Sequence, residues 1–503
     1  MIRRSIREVI VKDVVIVGSG FSGMGMAIKL KEAGRTDFVV LEKANDVGGT
    51  WRDNTYPGCE CDIQSHMYSF SYELNATWSR GYSAQPEIWV YLRDVAKRHH
   101  LAEHIDFGVE MTAADWDEDR QLWTVSTAGG QTYEARVLVS GIGGLHIPRI
   151  PDIPGAETFT GPKFHSAQWD HSVDLVGAKV AVIGTGASAV QFIPEITPNA
   201  DFVSVFQRTP PWVVPKSNGA ITGWKRAALT KVPGAKRAYR DALYWGLEAQ
   251  QLAFTGPFQG ISKIAEKKTV AYIERTIDDP ELRRKLTPYY RLGCKRVLKS
   301  DNYLTTYQRD NIALIDTGIA EITPQGVVDK DDVLHEADVI IYGTGFHVTD
   351  AFEWVHVTGR DGVDLSKQFT SHGIETYLGI GVANFPNFFF LLGPNTALGH
   401  NSVVFMIEQQ TSYILRLLDA MDDRGVGAVE PHERAQVEFN EALQKKVSKG
   451  VWSQGGCTSW YLDSAGKNRT IWPGFTFRYW WETRKVDTSH FSWLPSTRET
   501  TSV

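Results

Sequence analysis

The same glycine-turn pattern occurs twice in this chain, each time where an apolar run gives way to a helix-like segment. The first copy is Val14-Val15-Ile16-Val17-Gly18-Ser19-Gly20-Phe21-Ser22-Gly23, and the second is Val180-Ala181-Val182-Ile183-Gly184-Thr185-Gly186-Ala187-Ser188-Ala189. In each, a strand buried on both faces would enter a tight turn, and the N–H groups opening the next helix would face a pyrophosphate. Glu42 follows Gly18 by twenty-four residues, and Arg208 follows Gly184 by the same distance. A carboxylate at that strand end binds ribose hydroxyls and repels a 2′-phosphate, whereas an arginine attracts one. The first unit, through Gly18, Gly20, Gly23 and Glu42, therefore suits the adenosine half of FAD. The second, through Gly184, Thr185, Gly186, Ser188 and Arg208, suits NADPH rather than NADH. One such turn can be only a tight connection, but two with strand, helix and charge in register point to two dinucleotides.

A chain of 503 residues, 42% of them hydrophobic, has material for two or three domains. Its formal charge of −6 argues against nucleic acid as a partner. No apolar run reaches membrane-spanning length, so no integral membrane association is expected. The basic residues 1–12 are followed by no separate apolar segment and cleavage site, so no signal peptide is expected. Cys59, Cys61, Cys294 and Cys457 have no zinc-like spacing and are too few for a disulfide scaffold. The expectation is a cytoplasmic, cofactor-dependent enzyme, a monomer or weak homo-oligomer.

Hydrophobic periodicity predicts helices over 22–33, 87–99, 403–421 and 431–447, and strands over 38–41, 122–127, 133–139, 312–316, 338–342 and 388–392. The proline-rich run 148–154 reads as a linker, and the charge-rich stretch 218–288 as a mainly helical insertion. The fold class is α/β, with two nested Rossmann-like dinucleotide-binding domains and a helical insertion. The expected division gives FAD residues 10–147 and 346–503, gives NADPH residues 151–215 and 291–345, and leaves 216–290 as the insertion. The C-terminal tryptophans Trp452, Trp460, Trp472, Trp480 and Trp481 are expected mainly to build core.

Between the two glycine turns lies Phe159-Thr160-Gly161-Pro162-Lys163-Phe164-His165-Ser166-Ala167-Gln168-Trp169-Asp170. It resembles the F-x-G-x-x-x-H-x-x-x-W-(P/D) signature of type I Baeyer–Villiger monooxygenases. Gly48-Gly49-Thr50-Trp51 and Tyr56-Pro57-Gly58-Cys59-Glu60-Cys61-Asp62 are similar to that family's flavin-covering segment. Gln207-Arg208-Thr209-Pro210 resembles its 2′-phosphate clamp, Lys295-Arg296 its nicotinamide-side pair, and Ser459-Trp460-Tyr461 a segment that folds over NADP. Thr55 stands where an arginine is common, and Gly343 where an alanine usually precedes Thr-Gly-Phe.

The resemblance implies an FAD- and NADPH-dependent enzyme that inserts one atom of O2 beside a ketone carbonyl, through a peroxyflavin, to give an ester or lactone. It assigns His165 a hinge role rather than a chemical step. Because the oxygen intermediates are anionic, the site needs a cation that keeps its proton, and Arg296 is the candidate. Asp62 is expected to orient Arg296 and to lie near the flavin. Lys295 and Thr209 join Arg208 at the 2′-phosphate, Trp460 covers NADP, and Thr50, Trp51, Asn401 and Val403 approach FAD. Three rivals are weaker. A disulfide reductase lacks its cysteine pair, since Trp51 occupies the first cysteine's position. An N- or S-oxygenase is disfavoured by Trp169-Asp170 and Arg296, and a flavin sensor needs no NADPH site.

Overall fold

The computed structural model describes residues 9–254, 260–348, 355–457, 459–463 and 465–497. The first eight residues of the basic N-terminal stretch lie outside the described residues. Among the described residues the larger sheet is mixed and has eight strands. Its parallel centre runs from Ile105–Phe107 through Phe38–Glu42 and Val9–Val17 to Thr132–Ser140. Antiparallel strands Leu122–Thr127 and Met111–Asp117 extend it. His356–Thr358 and Phe388–Phe390, from far later in the chain, pair into the same sheet. Val14, Val15, Ile16, Val39, Val137 and Val139 are all buried, as expected of strands covered on both faces.

The second sheet is wholly parallel, in the order Ile312–Ile315, Phe202–Phe206, Lys179–Ile183, Val339–Tyr342, Lys163–His165. A three-stranded antiparallel meander, Ile319–Thr323, Gly326–Asp329 and Leu334–Glu336, carries Ile322 and Val327 into a small core with Phe159. The protein is thus α/β with two Rossmann-type units. Two chain crossings join them side by side, where Arg149 N–H donates to Gly345 O and His347 N–H to Ile147 O.

Helices Gly223–Lys231, Ala235–Phe254, Gly260–Thr276 and Pro280–Leu286 occupy the stretch read as an insertion. Pro280 opens the last of them and Asp279 caps it. Val213–Val214 pairs in parallel with Leu298–Lys299, so the chain leaves for these helices and returns from them through adjacent strands.

Helix Val403–Arg424 runs alongside Phe21–Glu32 in the same direction. Ile407 packs near Gly25 at one end, and Arg35 pairs with Asp419 and Asp422 at the other. Both N-termini therefore open toward the same end of the larger sheet, where the first glycine turn lies.

Two expectations change. Cys294 and Cys457 form a disulfide with Cα atoms 6.2 Å apart, a pairing hidden by its separation of 163 residues. The C-terminal tryptophans divide: Trp452 and Trp472 build core, whereas Trp460, Trp480 and Trp481 are exposed.

Candidate active site

The first glycine turn is built for close approach. Gly18 has φ +93°, and a Cβ there would meet Gly141 O at 2.8 Å; a Cβ on Gly23 would collide with Gly18 O. Gly20 is the N-cap of Phe21–Glu32, with no side-chain cap, which leaves the helix-opening N–H groups available to an anion. The Gly48-Gly49 turn lies against it, since a Cβ on Gly49 would stand 3.1 Å from Gly20 Cα. That contact brings Thr50, exposed, and Trp51, buried, beside the turn. Trp51 Nε1–H donates to Tyr68 OH at 3.1 Å.

Glu42 ends its strand as expected, but its carboxylate is already engaged. It accepts from Ser19 N–H at 2.9 Å, Ser19 Oγ–H at 2.7 Å and Ala44 N–H at 2.9 Å, and pairs with Arg52 at 2.8 Å. Burial alone would raise its pKa, yet these partners hold it below the usual carboxylate range. In this structure Glu42 clamps the turn that would hold the pyrophosphate, a contact that spacing alone did not foretell.

The second turn repeats the geometry. Gly184 has φ +106°, a Cβ there would stand 2.6 Å from Gly343 O, and Gly186 is the N-cap of Ala187–Ile196. The third position of this turn is Ala189, and a Cβ on Gly343 would stand 3.0 Å from the Ala189 methyl. The glycine at 343 therefore makes room for the alanine at 189. Thr185 Oγ–H donates to Thr209 O at 3.4 Å, tying turn to strand end. Arg208 is exposed there, and its field acts on Lys295: burial first and Arg208 second push that ammonium below its usual range. Two cations converging beside a glycine turn fit the 2′-phosphate of NADPH.

The loop 56–62 crosses from the first unit to the second. Tyr56 OH donates to Gln191 Oε1 and Gln191 Nε2–H to Glu60 O, both at 2.9 Å, so the loop docks on helix Ala187–Ile196 beside Ser188. At its end, Asp62 receives Arg296 in a two-pronged pair, with Nε–H and Nη2–H each donating at 2.8 Å. Burial alone would raise the Asp62 pKa, but Arg296 holds it below the ordinary range; Asp62 in turn raises that of Arg296 against the cost of burial. The guanidinium is planar, permanently charged and fixed in orientation.

Sequence reading missed four neighbours of this pair. Lys299 Nζ–H donates to Asp62 O at 3.0 Å, and Lys216 is ion-paired with Glu60. Tyr461 is buried, with its hydroxyl beside the Arg296 guanidinium and in the field of Asp62. Burial pushes its phenol up to about 12, so it remains a donor at neutral pH. Cys294, two residues before Arg296, is bridged to Cys457, four before Tyr461. The Ser459-Trp460-Tyr461 motif was the signal for Tyr461. Lys216, just past the expected end of the NADPH unit, gave none.

Asn401 and Trp460, expected at FAD and at NADP, make contacts within the protein. Asn401 spends its amide on Glu248 of helix Ala235–Phe254, at 2.7 Å, while Ser402 caps the helix that opens at Val403. Glu248 also receives Thr476 N–H and Oγ–H, at 2.9 and 2.8 Å, so this insertion helix grips the loop before Val403. Trp460 is exposed and packs at a tilt on Tyr461, with centroids 4.5 Å apart.

In the signature segment, His165 is buried; its Nδ1 accepts from Ala167 N–H at 3.1 Å and its ring meets Phe346 edge-on at the crossing. Trp169 packs on Phe164 and Phe192, and His171 bonds Thr55 at 2.9 Å where the usual arginine is missing. Cys59 and Cys61 are buried thiols whose pKa burial pushes up to about 12, which removes the thiolate a disulfide reductase needs.

Comparison with known proteins agrees with this geometry. Residues 15–238 match the family described as pyridine nucleotide-disulphide oxidoreductase. A Baeyer-Villiger monooxygenase of Pseudomonas aeruginosa is 47% identical over 479 residues, covering 95% of this chain and 90% of the relative. The structure of cyclohexanone monooxygenase from Rhodococcus sp. Phi1 bound to NADP+ superposes with a TM-score of 0.87 at 29% identity, over 97% of this chain and 100% of that one. The OTEMO complex with FAD and NADP superposes at 0.86 with 28% identity, over 96% and 99%. The cofactors are FAD and NADPH, and no helix among the described residues is long and apolar enough to cross a membrane. The chain belongs to the Baeyer–Villiger monooxygenases, FAD- and NADPH-dependent enzymes that insert oxygen beside a carbonyl.

Proposed function

We propose that Arg296, oriented by Asp62, is the fixed cation on which oxygen insertion into a ketone depends. The observation carrying this reading is the two-pronged Arg296–Asp62 pair, in which a loop of the FAD side holds a guanidinium of the NADPH side. When bound, NADPH supplies reducing equivalents and the flavin activates O2. Arg296 neutralises the oxygen anions that follow, and Tyr461, a buried donor beside it, adds a hydrogen bond. Asp62 fixes the guanidinium plane, and Lys299 and Lys216 hold the loop that carries Asp62.

In this reading residues 10–147 and 346–503 hold FAD, 151–215 and 291–345 hold NADPH, and 216–290 are the helical insertion. Gly18, Gly20, Gly23, Thr50 and Trp51 line the flavin nucleotide, with Glu42 bracing the turn. Gly184, Thr185, Gly186 and Ser188 take the second pyrophosphate. Arg208, Thr209 and Lys295 take the 2′-phosphate, and Trp460 covers the nicotinamide nucleotide. Asn401 and Val403 serve FAD indirectly, through the loop that Glu248 grips. The organic substrate is a small ketone, the chain acts as a monomer or weak homo-oligomer, and its place is the cytoplasm.

The test is product analysis with a panel of linear, cyclic, aryl and steroid ketones. The parent enzyme should form ester or lactone with one NADPH consumed per product. Arg296→Ala should lower ester formation by roughly 10²–10³-fold or more, since a preorganised stabiliser of developing charge is gone. Ester formation by Arg296→Ala at the parent rate would remove Arg296 from the chemistry.

A further inference from the structure

Helix Thr476–Thr483 is turned inside out. Thr476, Tyr479 and Thr483 face the protein, whereas Phe477, Trp480 and Trp481, at helical spacing, face outward. Trp480 is 45% and Trp481 59% exposed. Trp245, on insertion helix Ala235–Phe254 and 59% exposed, continues the surface, with its ring centroid 6.1 Å from that of Phe477. Arg484 lies over the Trp481 ring.

Isolated exposed hydrophobics are ordinary on protein surfaces, but adjoining exposed tryptophans are not. Indole is amphipathic and favours the boundary between water and hydrocarbon, where its ring is buried and its N–H remains solvated. The inward threonines show that the helix does not present these rings to its own core.

Charge separates the possible occupants. Setting aside buried Arg240 and Glu248, helices Gly223–Lys231, Ala235–Phe254 and Gly260–Thr276, together with residues 476–485, carry twelve lysines and arginines against four aspartates and glutamates. The whole chain is nevertheless at −6. Three of these four acids are already paired: Asp241 with Arg237, Glu266 with Arg291, and Glu482 with Arg478. A second copy would set this basic region against itself if it docked face to face. An anionic lipid surface satisfies both the aromatic rings and the surplus cations.

We propose that the outward face of helix Thr476–Thr483, with Trp245 beside it, docks on a membrane surface bearing anionic lipid. The attachment is peripheral: the rings reach the headgroup boundary, and the lysines and arginines of the insertion meet the lipid phosphates.

The experiment is co-sedimentation of the FAD-loaded enzyme with vesicles of phosphatidylcholine alone and of phosphatidylcholine mixed with phosphatidylglycerol, at low and high salt. Tryptophan emission and light scattering are recorded alongside. The expected result is binding to the mixed vesicles, weakened by salt, with a blue shift in emission. The double variant Trp480→Ser/Trp481→Ser should bind roughly tenfold more weakly, and Trp245→Ser should weaken binding less. Ketone turnover in both variants should stay at the parent level, which shows that they are folded. Binding to neither vesicle overturns the proposal, as does binding that the substitutions leave unchanged or that is equal on both vesicles at all salt concentrations. A parent dimer that becomes monomeric in the double variant, without vesicle binding, assigns the face to a second copy and also overturns it. Vesicle binding is read without turnover, so it stands or falls apart from the role of Arg296.

Discussion

Lys295 and Arg208 lie eighty-seven positions apart in the chain, yet the charge of Arg208 acts on the Lys295 ammonium. Burial and the neighbouring charge both disfavour the Lys295 ammonium, and an incoming phosphate relieves that strain. Arg208→Ala should therefore raise the KM for NADPH about 10- to 100-fold, the equivalent of about 1.5–3 kcal/mol for a charged hydrogen bond, while NADH use changes little. Steady-state kinetics with both nucleotides checks this, and equal use of the two by the parent enzyme would contradict it. A second test concerns packing at the other end of the turn. Gly343→Ala should cost about 1–3 kcal/mol of stability, because its methyl would press on that of Ala189. Ala189→Gly should restore most of that loss, as read by denaturant unfolding. The glycine turns and the charges at their strand ends were legible because local chain chemistry dictates them. Glu42 was found by spacing, but its bonds to Ser19 and Arg52 were not, since rotamers depend on what surrounds them.

Among the elements, the connections were harder to read than the strands and helices. The paired strands Leu122–Thr127 and Thr132–Ser140, and the long helix Val403–Arg424, follow from periodicity. Periodicity gives no sign that Glu248, on an insertion helix, would hold Asn401 and Thr476, because those contacts span 153 and 228 residues. The Cys294–Cys457 bridge was hidden for the same reason. It joins the segment carrying Arg296 to the loop carrying Tyr461, so it holds these two residues to one backbone frame. Cys294→Ser should lower stability by about 2–4 kcal/mol, the cost of opening a long loop. It should also raise peroxide release relative to ester, because Tyr461 loses its anchor. Unfolding with and without a thiol reductant, beside a peroxide assay, measures both. A variant with unchanged stability and coupling would show that the bridge does neither.

At the scale of the whole molecule, two dinucleotide-binding units meet across paired crossings, and His165 is packed where they join. Burial lowers the pKa of His165 to about 4, so the folded state holds it neutral, whereas the unfolded chain protonates it near its ordinary value of about 6.5. The stability it contributes is complete above that ordinary value and falls as pH drops toward 4, by on the order of 2 kcal/mol at pH 5. His66, also buried and lowered to about 4, acts in the same direction. Denaturant unfolding of the parent and His165→Gln at pH 7 and pH 5 should show a smaller loss in the variant. Equal losses would mean that His165 is not the titrating group.

The central claim is a division of labour: placing NADPH against FAD needs the two glycine turns, and oxygen insertion additionally needs Arg296. Separate half-reactions of Arg296→Ala test it most directly. Flavin bleaching by NADPH is followed without oxygen, and ester and hydrogen peroxide are then quantified with oxygen and ketone present. The account predicts flavin reduction within about tenfold of the parent, NADPH consumption ending in hydrogen peroxide, and ester reduced by the roughly 10²–10³-fold that one charge stabiliser supplies. Flavin reduction lost as severely as ester, or ester formed at the parent rate, would contradict it.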